Sequence, residues 1–593
     1  MMKKICKADY VLAGVLFLLP FLHVSMGVNI TDQGYNLANF ELFPHMNQTW
    51  MISTLAANLV GKLFTWLPFG HYMLGMNIYC TLLLSILAVV LYNVLRKDFS
   101  NYAVFCGLLI ALCFSWAPKV TLYQYLSYFL FNGAAVLLLR GLRKGNRRLL
   151  FGAGVLLGIN LFVRFPNILQ AALIVVVLYA AILQKKSFKE WMRDVLVCMA
   201  GYFVVAVPGI LLIELLWGRG AYLDMINSLF AMTDTATAYS PFAMFTSVYY
   251  AYMENWYWFK WFLILAVLGT IVWGFLRRKW QRLVVFAGMV FGLLLILGFY
   301  GYKGMLNTYY EGYHSVYVWG VNLLMFTGIF MAFAVCLPRI PYEIKLYGLT
   351  VLVIIGITPL GSNNVLYSNY NNLYLLAPVT AGMVDLLWKK VDREKDVENS
   401  RIWRISAMPV VLVGSALILV TMVQTFLFHN AFVFGDTGFT MQTGAKVSEN
   451  EKLTGMITTP ANGEALGELT AFMEKNHLNG MPAIVWDQAP ILYYILDIEC
   501  AIGHFWPYLD SYPYEEFKED MEAMEEYPVI IYQTIYYEDL LKGMTDADKK
   551  TQVIMEILQE GAYEEVFRNG HYAVCLPGPN IGGNISSNNG KNN

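Results

Sequence analysis

The chain has 593 residues, of which 58% are hydrophobic and only 14% are charged, and its mean hydropathy is +0.50. Soluble domains carry about 25% charged residues, so these values exclude an ordinary soluble protein and indicate a chain that lies mostly in a lipid bilayer. The net charge of −1 and the lack of a basic stripe give no sign of a nucleic-acid partner.

Apolar stretches near or above the length that crosses a bilayer, about 20 residues, recur through the first 428 positions. They predict about 13 transmembrane helices. The predicted spans are 10–28, 72–95, 101–117, 123–140, 149–163, 166–184, 194–217, 259–277, 283–301, 315–336, 345–359, 374–388 and 405–428.

Basic residues are distributed unevenly between the two sides of these spans. With the amino terminus inside, 26 basic residues face the cytoplasm and six lie outside before the last span. Because Lys and Arg accumulate in cytoplasmic loops, this bias sets the orientation, and an odd number of spans places residues 429–593 outside. We therefore expect a multi-pass protein of the cell membrane with an extracytoplasmic carboxyl-terminal region.

Three regions are predicted: a transmembrane domain at 1–428, an outer α/β domain at 429–577 and a disordered, Asn- and Gly-rich tail at 578–593. Long outer loops are expected at 29–71 and 218–258, the first with helices along the membrane surface. In the outer domain, buried strands are predicted at 484–486 and 529–532, helices at 517–526 and 546–560, and a final hairpin from 563–567 and 571–576. Cys500 and Cys575 lie in this domain, and a disulfide between them is one alternative.

Asp32 is the first candidate for chemistry, because it follows the first span in the sequence Asn29-Ile-Thr-Asp-Gln-Gly-Tyr-Asn36. A carboxylate at a membrane surface is partly desolvated, which raises its proton affinity and suits a general base. The alternative is that Thr31 or Asp32 caps the next helix. Glu41 is a second, weaker candidate for binding substrate, with a solvated loop charge as the alternative.

The six outer basic residues stand close to the outer ends of spans, where the phosphate of a lipid would lie. A guanidinium or ammonium group there stabilises a departing phosphate, and snorkelling to the interface is the alternative. Arg164 is the strongest candidate because Pro166 breaks the helix beside it. Lys119 and Lys303 are the next candidates for binding the donor phosphate.

Polar side chains near these cations are predicted to bind substrate, because amides and phenols hydrogen-bond sugar hydroxyls. Three segments supply them: the stretch after Lys119, the stretch after Lys303, and the Asn-rich loop 358–372, whose alternative role is a well-satisfied turn. The predicted residues are Tyr123, Gln124, Tyr310, His314, Asn363, Asn364 and Asn371. No close His ligand spacing is present, so no metal ligand and no cofactor is assigned, and dependence on a divalent metal is left open.

A first span followed by a long outer loop with an early Asp, interfacial helices, about 13 spans and an outer α/β domain resembles the GT-C superfamily of membrane glycosyltransferases. The protein O-mannosyltransferases and the aminoarabinose transferases of lipid A belong to it. The resemblance implies a polyprenyl-phosphate sugar as donor, an outward-facing cavity and inversion at the sugar carbon with Asp32 as base. Mannosyltransferases have adjacent acidic residues, whereas Gln33 follows Asp32 here, so the acceptor and the metal dependence are not carried over.

The predicted function is transfer of a hexose or pentose from a polyprenyl-phosphate donor to an extracytoplasmic acceptor of the cell envelope, a glycan, lipid or protein. Its partners are therefore the lipid-linked donor, membrane lipids and that acceptor. A transporter or flippase of lipid-linked saccharides is the alternative, although similar halves and mid-membrane charges are not evident. A non-catalytic surface protein is a third class that has no need of thirteen spans.

Overall fold

The computed structural model describes most of the chain. The described residues are 6–117, 119–235, 241–275, 281–306, 314–338, 340–361, 364–393, 401–436, 444–447, 449–509, 512–524, 526–534, 546–559 and 563–578. The predicted disordered tail lies almost wholly outside them.

The described residues up to Ala431 fold mainly into helices, because long apolar runs in a bilayer satisfy their backbone groups only within a helix or a closed barrel. These helices are α1 (Lys7–Leu18), α2 (Asp32–Leu42), α3 (Gln48–Ser53), α4 (Leu55–Thr65), α5 (Met73–Leu95), α6 (Asn101–Phe114), α7 (Leu122–Lys144), α8 (Arg147–Val163), α9 (Ile174–Leu183), α10 (Phe188–Trp217), α11 (Ala221–Thr235), α12 (Pro241–Phe275), α13 (Gln281–Tyr302), α14 (His314–Cys336), α15 (Tyr342–Ile357), α16 (Tyr367–Tyr370), α17 (Leu376–Arg393) and α18 (Arg401–Ala431). Short 3-10 turns extend α1 at Leu19–Phe21 and precede α9 at Phe165–Leu173.

Each of the thirteen predicted spans coincides with one of these helices, so the fold is that of a polytopic α-helical membrane protein. Seven helical segments among the described residues are long and apolar enough to cross a bilayer. They are Met73–Leu95, Leu122–Lys144, Phe165–Leu183, Phe188–Trp217, Phe242–Trp273, His314–Cys336 and Met408–Ala431. The other six predicted spans correspond to shorter or less apolar helices, and the number thirteen stays a prediction.

The two long outer loops contain helices. In the first loop these are α2, α3 and α4, which agrees with the helices predicted there. In the second, α11 is followed by α12, which begins at Pro241 and continues without a break into the predicted span 259–277. The stretch 241–258, predicted as loop, is therefore helical, because the sequence from Pro241 to Lys260 contains no residue that ends a helix.

The outer domain is a five-stranded mixed sheet with helices. After a small pair, β1 (Ala445–Lys446) and β2 (Ile457–Thr458), come α19 (Pro460–Lys475), β3 (Pro482–Trp486), α20 (Ile491–Ile495), β4 (Glu499–Cys500), α21 (Tyr514–Glu522), β5 (Val529–Gln533), α22 (Asp546–Gln559), β6 (Tyr563–Arg568) and β7 (Tyr572–Pro577). The strand order is β4-β3-β5-β7-β6, with β3 parallel to β4 and β5, and β7 antiparallel to β5 and β6. The strands, helices and hairpin predicted from the sequence are all observed.

The alternative of a Cys500–Cys575 disulfide is wrong. Both thiols are free, Cys500 on β4 and Cys575 on β7. Strands β3 and β5 lie between them, so the two residues are three strand spacings apart, roughly 14 Å, whereas a disulfide requires Cα atoms within about 7 Å.

The outer domain rests on the first outer loop. The Ile457 amide donates to the Ser25 carbonyl (2.9 Å), and the Ile491 amide donates to the Ile30 carbonyl (3.1 Å). Gly34 on α2 allows the closest approach, since a Cβ there would lie 2.4–2.6 Å from atoms of Ile491. One hydrophobic core therefore runs from the membrane helices through α2 into the outer domain.

Candidate active site

Asp32 is the first residue of α2, so a helix does start here, as the predicted alternative stated. The Asp32 side chain, however, does not cap the helix. The Asn29 side-chain oxygen caps instead, accepting from the Gln33 amide at 2.7 Å. The Asp32 carboxylate accepts no hydrogen bond from the part of the chain that the structure describes, and the residue is half-buried. Burial raises the pKa of this carboxyl from 3.8 to about 6. A free carboxylate with that pKa is deprotonated at pH 7 and still accepts a proton readily.

The face of α2 that carries Asp32 also carries Tyr35, Asn36 and Asn39, at the three- and four-residue spacing of a helix. The Asn36 amide donates to the Asp32 carbonyl at 2.7 Å. The Tyr35 ring lies 6.1 Å from the Trp506 ring of the outer domain. Burial raises the pKa of Tyr35, so its hydroxyl stays protonated at neutral pH.

A first cavity lies beside the start of α2. Its empty volume is about 580 Å³, much of it open to solvent, and the residues that line it include Gln33, Lys119, His23, His429, Trp116, Phe428, Phe432 and Phe434. The His23 and His429 rings are 5.3 Å apart, and His429 Nε2 is buried without a hydrogen-bond partner among the described residues. Desolvation lowers the pKa of Lys119 to about 8, so its ammonium group remains mostly charged at pH 7. The cavity combines a cation, two imidazoles and aromatic walls.

Gln33, the residue after Asp32, lines this cavity. Its Nε2 donates to Asn77 Oδ1 at 2.6 Å, and Asn77 Nδ2 donates to the Val24 carbonyl at 2.9 Å. These two hydrogen bonds hold the start of α2 against the first turn of α5. Asp32 itself does not line the cavity among the described residues, and its sequence neighbour Gln33 connects the two.

A second cavity surrounds Arg164, which was predicted to bind the donor phosphate together with Lys119. Arg164 Nη2 donates to the Gly361 carbonyl, and its guanidinium lies 5.8 Å from the centre of the Tyr123 ring. Gln124 lines this cavity, and its Nε2 donates weakly to the Tyr123 hydroxyl at 3.4 Å. The structure therefore brings Arg164, Tyr123 and Gln124 together, and it places Lys119 in the other cavity.

Asn371 is buried and its side chain holds the loop that leads to Lys119. Its Oδ1 accepts from the Trp116 amide at 2.9 Å, the Ala117 amide at 3.2 Å and the Ser115 hydroxyl at 3.3 Å. These contacts match the alternative of a well-satisfied turn in the Asn-rich loop. They shape the first cavity from behind its lining.

The remaining predicted residues lie apart from Asp32 or outside the described residues. Glu41 is nine residues along α2, on the opposite face, with its carboxylate 3.9 Å from the Lys452 ammonium. Lys303 is exposed, with its ammonium 5.5 Å from the Tyr302 ring centre, and His314 and Asn364 are also exposed. Tyr310 and Asn363 lie outside the described residues.

Two buried groups of the outer domain were missed by sequence reasoning. Asp487, at the end of β3, has a φ of +75°, and burial raises the pKa of its carboxyl to about 7 while the Gln533 backbone amide opposes the shift. His504 stacks on Tyr512 with ring centres 4.4 Å apart, and burial lowers its pKa to about 3. A carboxylate directly after a buried strand was the signal for Asp487, whereas nothing local distinguishes His504.

No group of three or more His, Cys, Asp or Glu side chains in the described ranges is arranged to hold a metal ion.

The chain is a multi-pass helical membrane protein with a carboxyl-terminal α/β domain, and Gln33, the residue after Asp32, lines a cavity that contains Lys119. Its fold is similar to a crystal structure of the oligosaccharyltransferase of Archaeoglobus fulgidus in complex with Zn and sulfate, at 11% identity and TM-score 0.46, covering 94% of this chain and 71% of that chain. A structure of the oligosaccharyltransferase AglB from the same organism, with an inhibitory peptide and a dolichol-phosphate, is similar at 10% identity and TM-score 0.45, covering 97% and 74%.

ArnT from Cupriavidus metallidurans, bound to undecaprenyl phosphate, is similar at 12% identity and TM-score 0.41, covering 96% of this chain and 97% of that chain. The oligosaccharyltransferases and ArnT are membrane glycosyltransferases, the class of protein that the sequence resembles. At TM-scores below 0.5 the similarity assigns no activity and no site residue to this chain. No family model matches the sequence, and no curated protein matches it in sequence.

Proposed function

We propose that the chain is a membrane glycosyltransferase that moves a sugar from a polyprenyl-phosphate donor to an extracytoplasmic hydroxyl-bearing acceptor. The observation that carries this proposal is the position of Asp32. Its carboxylate is half-buried and free of described hydrogen bonds, and the next residue, Gln33, lines the cavity that contains Lys119.

In the proposed reaction Asp32 takes the proton of the acceptor hydroxyl. The acceptor oxygen then bonds to the anomeric carbon as the bond from that carbon to the phosphate oxygen breaks, with inversion at the carbon. Polyprenyl phosphate leaves with the electron pair of the broken bond. A raised carboxyl pKa suits this role because the base must be deprotonated before reaction and hold the proton afterwards.

The first cavity supports binding of the donor phosphate. Lys119 supplies a positive charge that is little screened because it is desolvated, so it stabilises the negative charge on the leaving phosphate. His429 Nε2, which has no hydrogen-bond partner among the described residues, adds a buried polar atom beside Lys119, whereas the His23 ring is held by Asn430 Oδ1 at 3.0 Å and Met26 Sδ at 3.2 Å. Trp116, Phe428 and Phe432 offer an apolar wall to the first isoprene units.

The sidedness of the reaction follows from the basic-residue bias, which places α2 and the outer domain outside the cell. The donor is then used on the outer leaflet of the cell membrane, where the acceptor of the envelope is available. Arg164 belongs to the same outer level and is proposed to contact the donor from the second cavity.

The test is release of polyprenyl phosphate by the purified full chain in detergent, supplied with polyprenyl-phosphate sugars and a crude envelope fraction as acceptor. We expect release by the parent and a loss of about 10²–10⁴-fold in Asp32→Asn, since an amide cannot take the proton. Asp224→Asn is the matched control, because Asp224 is also an outer Asp in the first turn of a helix but is exposed. Movement of intact donor in liposomes without any release would instead identify a flippase.

A further inference from the structure

The second cavity differs in chemistry from the first. It lies among the start of α7, the end of α8, the 3-10 turn that precedes α9, and the loop after α15. Nine of its twelve lining residues are polar, and Arg164 is the one lining side chain with a charge. Since no carboxylate lines it among the described residues, it has no partner for an amino group.

Three of the polar lining side chains, Ser127, Asn167 and Gln170, form a fixed hydrogen-bond network with Asn160, which lies behind them. Asn160 Nδ2 donates to Gln170 Oε1 at 2.5 Å, and Gln170 Nε2 donates to Asn167 Oδ1 at 3.0 Å. Asn167 Nδ2 donates to the Ser127 hydroxyl at 2.6 Å. Because these groups satisfy one another, the wall that they form is held in place before any ligand arrives.

Gln124 is the exception in this wall. Its Oε1 is buried and has no hydrogen-bond partner among the described residues, although its amide nitrogen contacts Tyr123. An amide oxygen left without a donor is costly, so a cavity beside it is a place for a hydroxyl group. Arg164 already donates to the Gly361 carbonyl, and its guanidinium lies over the Tyr123 ring. Its other N–H groups can donate to the neutral oxygen of a ligand hydroxyl in the cavity.

The size of the cavity limits what enters. Its empty volume is about 420 Å³, much of it open to solvent, and the enclosed part has room for about one or two water-sized groups. A whole sugar ring does not fit there, but an exocyclic hydroxymethyl group does. The Tyr123 ring centre lies 5.8 Å from the Arg164 guanidinium, and the Tyr123 side chain packs beside Ala57 of α4 and Val163 of α8.

We propose that the second cavity receives the hydroxymethyl group of the transferred sugar, with Gln124 Oε1 accepting from its hydroxyl, so that the donor carries a neutral hexose. This inference rests on the proposed function and narrows its donor. A pentopyranose has no group to place in the cavity, and an amino sugar finds no carboxylate in it. Gln124 thereby becomes a specificity-determining residue.

The experiment compares three lipid-linked donors that differ at one position: a hexose, the matching 6-deoxyhexose and the matching pentose. Release of polyprenyl phosphate by the full chain in detergent gives kcat/KM for each. We expect the hexose to be preferred about 10-fold or more, because a site built to bind a hydroxyl rejects an analogue that lacks it. Gln124→Leu should lower kcat/KM for the hexose donor but not for the other two donors, so the preference should disappear. Gln184 is exposed and lies on the predicted inner side, and Gln184→Leu should keep the preference.

Equal use of the three donors, or a Gln124→Leu variant that loses all three equally, would show that the cavity holds only water and would overturn the inference. Binding is measured separately by thermal protection of the full chain with each donor and no acceptor. If no donor is turned over, the proposed function fails. The inference about the second cavity is then tested by the thermal protection measurement alone. Greater protection by the hexose supports it, and equal protection refutes it.

Discussion

Replacing Asp32 with Asn should make the folded protein more stable at neutral pH while it abolishes transfer. Burial raises the pKa of this carboxyl from 3.8 to about 6. A difference of about two pKa units corresponds to about 3 kcal/mol, and because the side chain is partly exposed we expect about 1–3 kcal/mol. The neutral Asn amide does not carry the desolvation cost of the buried carboxylate, so the variant should have the larger free energy of unfolding. Such a gain in stability with a loss of activity is common at functional sites.

The sign of the pH dependence follows from the raised pKa. The folded state holds the proton more tightly than the unfolded state, so the parent loses stability as pH rises from about 4 to about 6 and is constant above. The advantage of Asp32→Asn should therefore be full at pH 8 and vanish near pH 4. Transfer by the parent should fall about tenfold for each pH unit below about 6, as the base becomes protonated.

Thermal unfolding in detergent at several pH values measures the first effect, and release of polyprenyl phosphate measures the second. Asp224→Asn should change neither, because that carboxylate is exposed in its helix turn. If Asp32→Asn were less stable than the parent at pH 8, Asp32 would have a favourable partner or cap in the fold. Its assignment as a desolvated base would then be refuted.

Four further predictions concern the cations, the contact with the outer domain and the topology. Lys119→Gln should raise KM for the donor about tenfold or more by removing a desolvated charge. An unchanged KM would show that the donor phosphate does not bind at Lys119. Arg164→Lys should lower donor use less than Arg164→Ala, since Lys keeps the charge and loses the fork, whereas equal negligible effects would indicate snorkelling. Gly34→Ala should weaken the contact between the outer domain and the first loop, because its Cβ would lie 2.4–2.6 Å from atoms of Ile491 on α20. Limited proteolysis of the outer domain should therefore be faster in this variant, and proteolysis at the parental rate would contradict this. A reporter fused after Arg148 should read cytoplasmic and one after Gly435 external, and an external signal at Arg148 would overturn the topology.

The helices and the outer strands could be predicted because their signals are local. An apolar run of span length specifies a helix wherever it occurs, and Val529–Gln533 is a buried strand whose apolar residues show in the sequence. Asp32 could be named as a candidate for the same reason, because its position directly after the first predicted span is visible in the local sequence. The continuous helix α12 was missed because aromatic and polar residues at the membrane surface give no signal that distinguishes helix from loop.

The two cavities could not be predicted because their residues come from distant parts of the chain. His23 and His429 are more than 400 positions apart, yet their rings are 5.3 Å apart. The role of Asn371 depends on the backbone of residues 115–117, which no local pattern connects with it. Placing Lys119 and Arg164 in one phosphate site was reasonable from their positions at span ends, and only the packing of α7 against α8 separates them.

The contact between residues 25–30 and the outer domain has a consequence for the biosynthesis of the protein. The hydrogen bonds from Ile457 to Ser25 and from Ile491 to Ile30 join segments more than 400 positions apart. At about 5–20 residues per second, the ribosome needs about 20–90 s to make the partners of the first loop. Until then α2 has its contacts with α4 and α5 but lacks those with α20. The candidate site is therefore complete only after residues 457–491 have been made and have folded onto residues 25–34.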